Sequence, residues 1–369
     1  MRPTRTPSFP FRRTAGSVVL LVLVTVLLAA FMITKFVQRA GTELLADARA
    51  GDQARFRREA YSALEATLAV LADVRNVDHA LYAPAQGWDD PLGYAGYVPP
   101  DGLAVDITFD DESGRISLPR ADAATLESLF QLTGVDRNQA ERASDALLVW
   151  MHPDYVPPTL EADPGNYERA AIPHKAAGRP LRSLAELASV AVVRDLLFDE
   201  QRQPNERFRQ FAAAVSLQSF DRVNLNAAAP LALAAAGLPD SQAATLQAYL
   251  HPRARNVAPG YFKSPQEAAP YLGAAAPADR FGVEIQVLRI NVTVRDGVRQ
   301  YRVSAVIALG AGVGTPPAPA RTPSSPTTAP AAEKAVITLK KLDYPFKVLE
   351  LVEDVESGPV PADFSTAHD

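Results

Sequence analysis

The sequence runs to 369 residues, 47% of them hydrophobic, which is enough for a sizeable core and for two or more domains. A net charge of −5 excludes the basic footprint of a general nucleic-acid binder. There is no cysteine, so a disulfide framework and thiolate metal sites are excluded, and stability rests on packing or on a hard cation held by carboxylates.

Residues 1–16 are a basic leader with Arg2, Arg5, Arg12 and Arg13, no acid, and Gly16 at its end. No charge falls between Arg13 and Lys35, and twelve of residues 17–33 are Val, Leu, Ile or Phe. Such a run matches the roughly 20 residues that cross a bilayer as a helix, and its insertion is favoured by about 5 kcal/mol. It is longer than the apolar core of a cleaved secretory signal, so a single-pass signal-anchor is expected at 17–34. The Lys/Arg balance favours a cytoplasmic N-terminus and a C-terminal part on the far side of the membrane. No proline occurs between Pro10 and Pro84, and Phe56, Ala60, Leu64, Leu68 and Leu71 fall on one helical stripe. One long helix over 17–75 follows.

Residues 76–120 begin with a loop rich in Gly and Pro. Then 103–118 alternates at period two on either side of Asp110-Asp111-Glu112-Ser113-Gly114, which predicts a β-hairpin with a solvated acidic tip. Residues 121–275 read as an all-α domain with an internal echo. Ile116-Ser117-Leu118, a helix, Gly134-Val135-Asp136 and a second helix are matched by Val223-Asn224-Leu225, a helix, Gly237-Leu238-Pro239 and a second helix. Ser183 and Ser264 each stand three residues before a Glu, the capping-box spacing, and Pro265 suits a first helical position. Residues 280–310 return to strands, with a hairpin at Asp296-Gly297. Residues 311–334 are a Pro-rich insertion expected to be disordered, 335–356 hold a last pair of strands (336–342 and 346–352), and 357–369 are a tail.

Catalytic motifs are missing. Gly310-Ala311-Gly312-Val313-Gly314 runs into Thr-Pro-Pro instead of opening a helix, so it cannot cradle a phosphate. His79, His152, His174, His251 and His368 are scattered. No catalytic residue is assigned and no enzyme is expected. Residues 223–250 have the outline of a helix-hairpin-helix repeat, but Asp240 follows its turn and would repel phosphate, so the helix pair is read as packing.

The basic leader, Gly16 and the apolar helix together resemble the leader of type IV pilins and type II secretion pseudopilins. The resemblance implies cleavage by a prepilin peptidase between Gly16 and Ser17. Leu21 stands where most pilins carry Glu, a departure that fits the K-type minor pseudopilins (general secretion pathway protein K). The runs SGRISL…LFQLTGVDRNQAERASDALLVWMHPD, HKAAGRPLRSLAEL, RVNLNAAAPLALAAAGLPDSQAATLQAYL and YFKSPQEA are similar to that family in the order expected, over most of 16–310. The resemblance implies an α+β, pilin-like fold: a long N-terminal transmembrane helix on an antiparallel sheet, carrying a large all-α insertion of two related repeats. It further implies a non-enzymatic role at the tip of the pseudopilus, initiating or capping assembly for export across the outer membrane. Implied partners are other minor pseudopilins, the major pseudopilin, the prepilin peptidase and the membrane. The soluble part would be periplasmic, with no nucleic acid bound. The family's domain is associated with calcium. Here 149–154 lacks an acid directly before Trp150 and has His152; Asp154, Glu161, Asp163 and Glu168 are the carboxylates left nearby. A solvated acidic loop is the plainer reading of those four, and no ligand set is assigned. The alternative function is a bitopic envelope protein with a periplasmic helix-hairpin-helix-like domain that binds DNA or another ligand.

Overall fold

The computed structural model describes residues 15–158, 167, 175–252, 260–273, 276–297, 299–309 and 346–357. The chain divides into two units, 1–58 and 59–369. Helix α1 (Ala15–Asp78) supplies the whole of the first unit's described part. Apolar side chains from Val19 to Val37 are exposed in it, the reverse of a water-soluble helix.

In the second unit, residues 59–78 of α1 bury Ala60, Leu64, Leu68 and Leu71, as the stripe predicts. Each of the three leucines contributes about 2 kcal/mol by burial. Tyr61 Oη donates to Glu353 at 2.6 Å and the Arg75 guanidinium lies over the Phe346 ring, so this segment runs along the last strand of the main sheet. The sheet has four strands in the order β1 (Ala104–Asp111), β6 (Val287–Asp296), β7 (Arg299–Ala308), β8 (Lys347–Ser357). All neighbours are antiparallel. β6 and β7 join through Asp296-Gly297, with Asp296 opposite Arg299. The loop between α1 and β1 includes a short helix, α2 (Pro91–Ala95), capped by the Asp90 side chain.

The hairpin expected over 103–118 does not form. β1 pairs instead with the distant β6, from Ala104↔Arg295 to Asp111↔Leu288, and the second arm, β2 (Ile116–Ser117), pairs in parallel with β3 (Val215–Ser216). The turn between them is a 3-10 segment whose residues Glu112, Ser113 and Gly114 are buried, so it is no solvated tip. The physical reason is that Glu112 finds its partners in distant strands, Arg289 in β6 and Ser216 in β3. The strand expected at 346–352 is β8, which pairs with β7. Its expected partner, 336–342, lies outside the described residues.

The described residues between β1 and β6 form a largely helical insertion with its own core, in which Leu126, Leu129, Phe130, Leu147, Met151 and Phe211 are fully buried. Its first part runs from β2 through α3 (Ala123–Leu132), α4 (Arg137–Met151), α5 (Ala191–Leu197) and α6 (Glu206–Ala214) to β3. Its second part runs from β4 (Val223–Asn224) through α7 (Pro230–Ala235), α8 (Asp240–Leu250) and α9 (Pro265–Leu272) to β5 (Phe281–Gly282). Each part closes by pairing its opening and closing strands in parallel. The first helix of each part ends the same way. Val135 N–H donates to Phe130 C=O, and Leu238 N–H to Leu233 C=O, across Gly134 at φ +84° and Gly237 at φ +97°. This is the helix-terminating geometry in which a left-handed residue is required and glycine is cheapest. At two further helix starts, Ser183 accepts from Ala185 N–H and Ser264 from Glu267 N–H, while Glu186 and Glu267 reach back to the N–H groups of Arg182 and Lys263.

Candidate functional site

Two features are candidates for function: the apolar helix of the first unit and a buried polar junction at the root of the insertion. In the first, Val19–Glu43 is long and apolar enough to cross a membrane by length and composition. Its hydroxyls suit an apolar solvent, because Thr25 Oγ1 donates to Val22 C=O and Thr34 Oγ1 to Ala30 C=O, leaving no unpaired donor at either position. Lys35 Nζ sits over the Phe31 ring at 5.7 Å, and Arg39 pairs with Glu43 at 2.9 Å, so charge begins where the apolar run ends. Gly16 and Ser17 lie in the first turns of α1.

The junction joins two stretches that are separate in sequence, the acidic turn 110–114 and the loop Asn224-Leu225-Asn226. Glu112, 4% exposed in its side chain, accepts from Arg115 at 3.1 Å, from Arg289 Nε at 2.8 Å and from Ser216 Oγ at 2.7 Å. It therefore ties the end of β1 to β6 and to β3. Arg115 also reaches Asp110 at 2.5 Å, and Arg289 reaches Ser304 Oγ. Asp111 accepts from Ser113 N–H at 2.8 Å, from Ser113 Oγ, and from Asn224 Nδ2 at 2.6 Å. Burial pushes its carboxyl up to about 7, against the pull of those donors. Ser113 Oγ in turn accepts from Gln286 N–H.

The amide loop does the equivalent for the second part of the insertion. Asn226 Nδ2 donates to Phe262 C=O at 3.0 Å and Val283 C=O at 2.7 Å, and its Oδ1 accepts from Phe262 N–H at 2.8 Å. Asn224 Oδ1 accepts from Asn226 N–H. The two stretches touch at Gly114, where a Cβ would come within 2.7 Å of Ala227 C=O. Only glycine permits that approach. Both stretches are visible in the sequence, the second by its Asn-x-Asn spacing, but nothing local to either one reports that they meet.

Of the carboxylates considered for calcium, Asp154 is exposed and Glu161, Asp163 and Glu168 lie outside the described residues. Among the described residues no three His, Asp or Glu side chains are grouped to hold a metal. The acid nearest Trp150 on α4 is Asp145, which is buried and accepts from Tyr155 Oη at 2.7 Å. Burial and that carboxylate push the Tyr155 hydroxyl up to about 12, and the contact holds the segment after α4 against the helix. In the helix pair with a helix-hairpin-helix outline, Leu238 is buried and Asp240 opens α8.

Residues 110–203 match the family model for type II secretion system (T2SS), protein K. The fold is similar to that of a chain in the crystal structure of the GspK-GspI-GspJ complex from the enterotoxigenic Escherichia coli type 2 secretion system. The TM-score is 0.52 at 14% identity, over 84% of this chain and 100% of that one. No curated protein matches the sequence significantly. The sequence resemblance to K-type pseudopilins is thus met by a family match over the first part of the insertion and by a likeness of fold over most of the chain.

Proposed function

We propose that this chain is a K-type minor pseudopilin, a structural subunit of a type II secretion system that acts by assembly and not by catalysis. The observation that carries the reading is where the family match falls. It begins at the last two residues of β1 and ends inside the helical insertion, in a chain whose N-terminal helix is long and apolar enough to span a membrane. We extend this to a single-pass protein of the inner membrane, N-terminus cytoplasmic and folded domain periplasmic, processed by a prepilin peptidase between Gly16 and Ser17. Its partners are then other minor pseudopilins, as for the complex it resembles, with the major pseudopilin below them.

The two parts of the insertion are read as related repeats on a pilin-like base, supported by their parallel strand closures and their matching glycine-terminated helices. An insertion of this bulk obstructs a further subunit from docking above, so the protein initiates or caps the pseudopilus at its tip. Leu21 in place of the usual Glu leaves nothing to meet the N-terminus of a subunit in front, as expected of a first subunit.

The test is mass spectrometry of the N-terminus of protein extracted from membranes, with and without a prepilin peptidase. The expected chain begins at Ser17 only when the peptidase is present. An intact leader under both conditions would sink the pseudopilin reading and move attention to a DNA- or ligand-binding envelope protein.

A further inference from the structure

We infer that the free edge of β1 is a docking site for an extended, basic segment of another protein chain, added to the sheet as a fifth strand. β1 stands at the end of the sheet. Its backbone pairs with β6 on one side, and no described strand lies on the other. This edge of eight residues, with no partner strand among the described residues, presents a row of N–H and C=O groups that an added strand would satisfy.

A groove of about 460 Å³ runs beside this edge, lined by Asp89, Asp90, Leu92, Tyr97, Val105 and Ile107 among others. Val105 and Ile107 share one face of β1 by the period of two, so alternate side chains of an added strand would fall into the groove against Leu92 and Tyr97. Tyr94 and Val98, from the same loop, are 65% and 84% exposed, an uncovered apolar rim. Loop 89–99 is itself held in place, since Asp90 caps α2 and Tyr97 Oη donates to Glu59 at 2.6 Å.

Charge selects the occupant. Residues 76–114 contain eight Asp or Glu and no Lys or Arg. Several of these acids already have cations: Asp106 has Arg295, Asp110 has Arg115, and Glu112 has Arg115 and Arg289. Asp89 and Asp90 are exposed and have no basic partner among the described residues. A segment alternating Lys or Arg with apolar residues would neutralise them while its amides complete the edge. An acidic or uncharged strand would add like charge or leave the rim unpaired.

The test titrates detergent-solubilised full chain into a fluorescein-labelled ten-residue peptide of alternating lysine and valine, read by anisotropy. Companion peptides are its glutamate–valine counterpart and two forms N-methylated on every second amide, one for each edge of the peptide. The expected result is binding by the lysine peptide, by neither the glutamate peptide nor one methylated form, and by the other methylated form. Asp89→Lys, at an exposed site away from the core, is expected to weaken that binding by about threefold to tenfold. Equal binding by both methylated forms would mean charge attraction without strand addition. Loss by both, no preference over the glutamate peptide, or no effect of Asp89→Lys would likewise overturn the proposal.

Discussion

The acidic turn 110–114 and the amide loop 224–226 meet at the root of the insertion and hold it by opposite chemistry. The turn uses carboxylates: Glu112 on two arginines and a serine, Asp111 on three donors. The loop uses neutral amides, with Asn226 clamping the backbone of Phe262 and Val283. A buried carboxylate holds strongly only while its charged partners stay, and its strength depends on pH. A buried amide makes as many hydrogen bonds, carries no charge, and is indifferent to pH. The insertion is thus fastened once in a conditional way and once in an unconditional way.

The largest effect is expected from removing the conditional fastening outright. Glu112→Ala leaves Arg115 and Arg289 facing a buried site without their shared acceptor, and frees Ser216 from its partner. A loss of about 4 kcal/mol is expected, read as a lowered melting temperature of the full chain in detergent. A loss no larger than that of an exposed pair such as Arg39–Glu43 would show that the junction is solvated and the comparison misplaced.

The next effect is a pH dependence peculiar to the turn. The Asp111 carboxyl, pushed up by burial from 3.8 to about 7, keeps its proton in the folded chain over a range where the unfolded chain has lost it. Its contribution to stability is therefore complete below about pH 4 and declines as pH rises towards 7. Across that window the contribution amounts to a few kcal/mol. Melting profiles of wild type and Asp111→Asn from pH 4 to 8 check this: the difference between them should shrink as pH rises, because only the wild type loses stability on this account. A difference that stays constant with pH would place the Asp111 carboxylate in water.

These contacts also mark how far the sequence could be read. The long helix was legible because an uncharged run and a leucine stripe each repeat over many residues. The β6–β7 hairpin was legible because Asp296-Gly297 is a local turn signal, and the caps at Ser183 and Ser264 are local as well. The first hairpin was misread for the opposite reason. Its arms alternate correctly, but β1 finds its partner at 288–295 and β2 at 215–216, and nothing local reports that. The acids of the turn look like a loop tip until Arg289 and Ser216 arrive from far along the chain. The Asn-x-Asn spacing was seen only as part of a family resemblance; its clamp needs Phe262 and Val283, which are 36 and 57 residues away from Asn226.

The unconditional fastening gives the smallest expected loss and the sharpest contrast. Asn226→Ala removes three hydrogen bonds and leaves the N–H of Phe262 buried without its acceptor, since Phe262 is 1% exposed. About 2 kcal/mol should be lost, by the same amount at pH 5 and pH 8, because no group in the clamp titrates there. Asn226→Asp carries the contrast further. The shape is kept and the Oδ1 acceptor survives, but the other oxygen now faces the carbonyls of Phe262 and Val283, where an acceptor is repelled and a proton is needed. This variant should be less stable than Asn226→Ala at pH 8 and recover as pH falls, giving the second part of the insertion the pH dependence that wild type confines to the first. If Asn226→Asp instead melts like wild type at every pH, water reaches the clamp, and the difference between the two fastenings is one of position and not of chemistry.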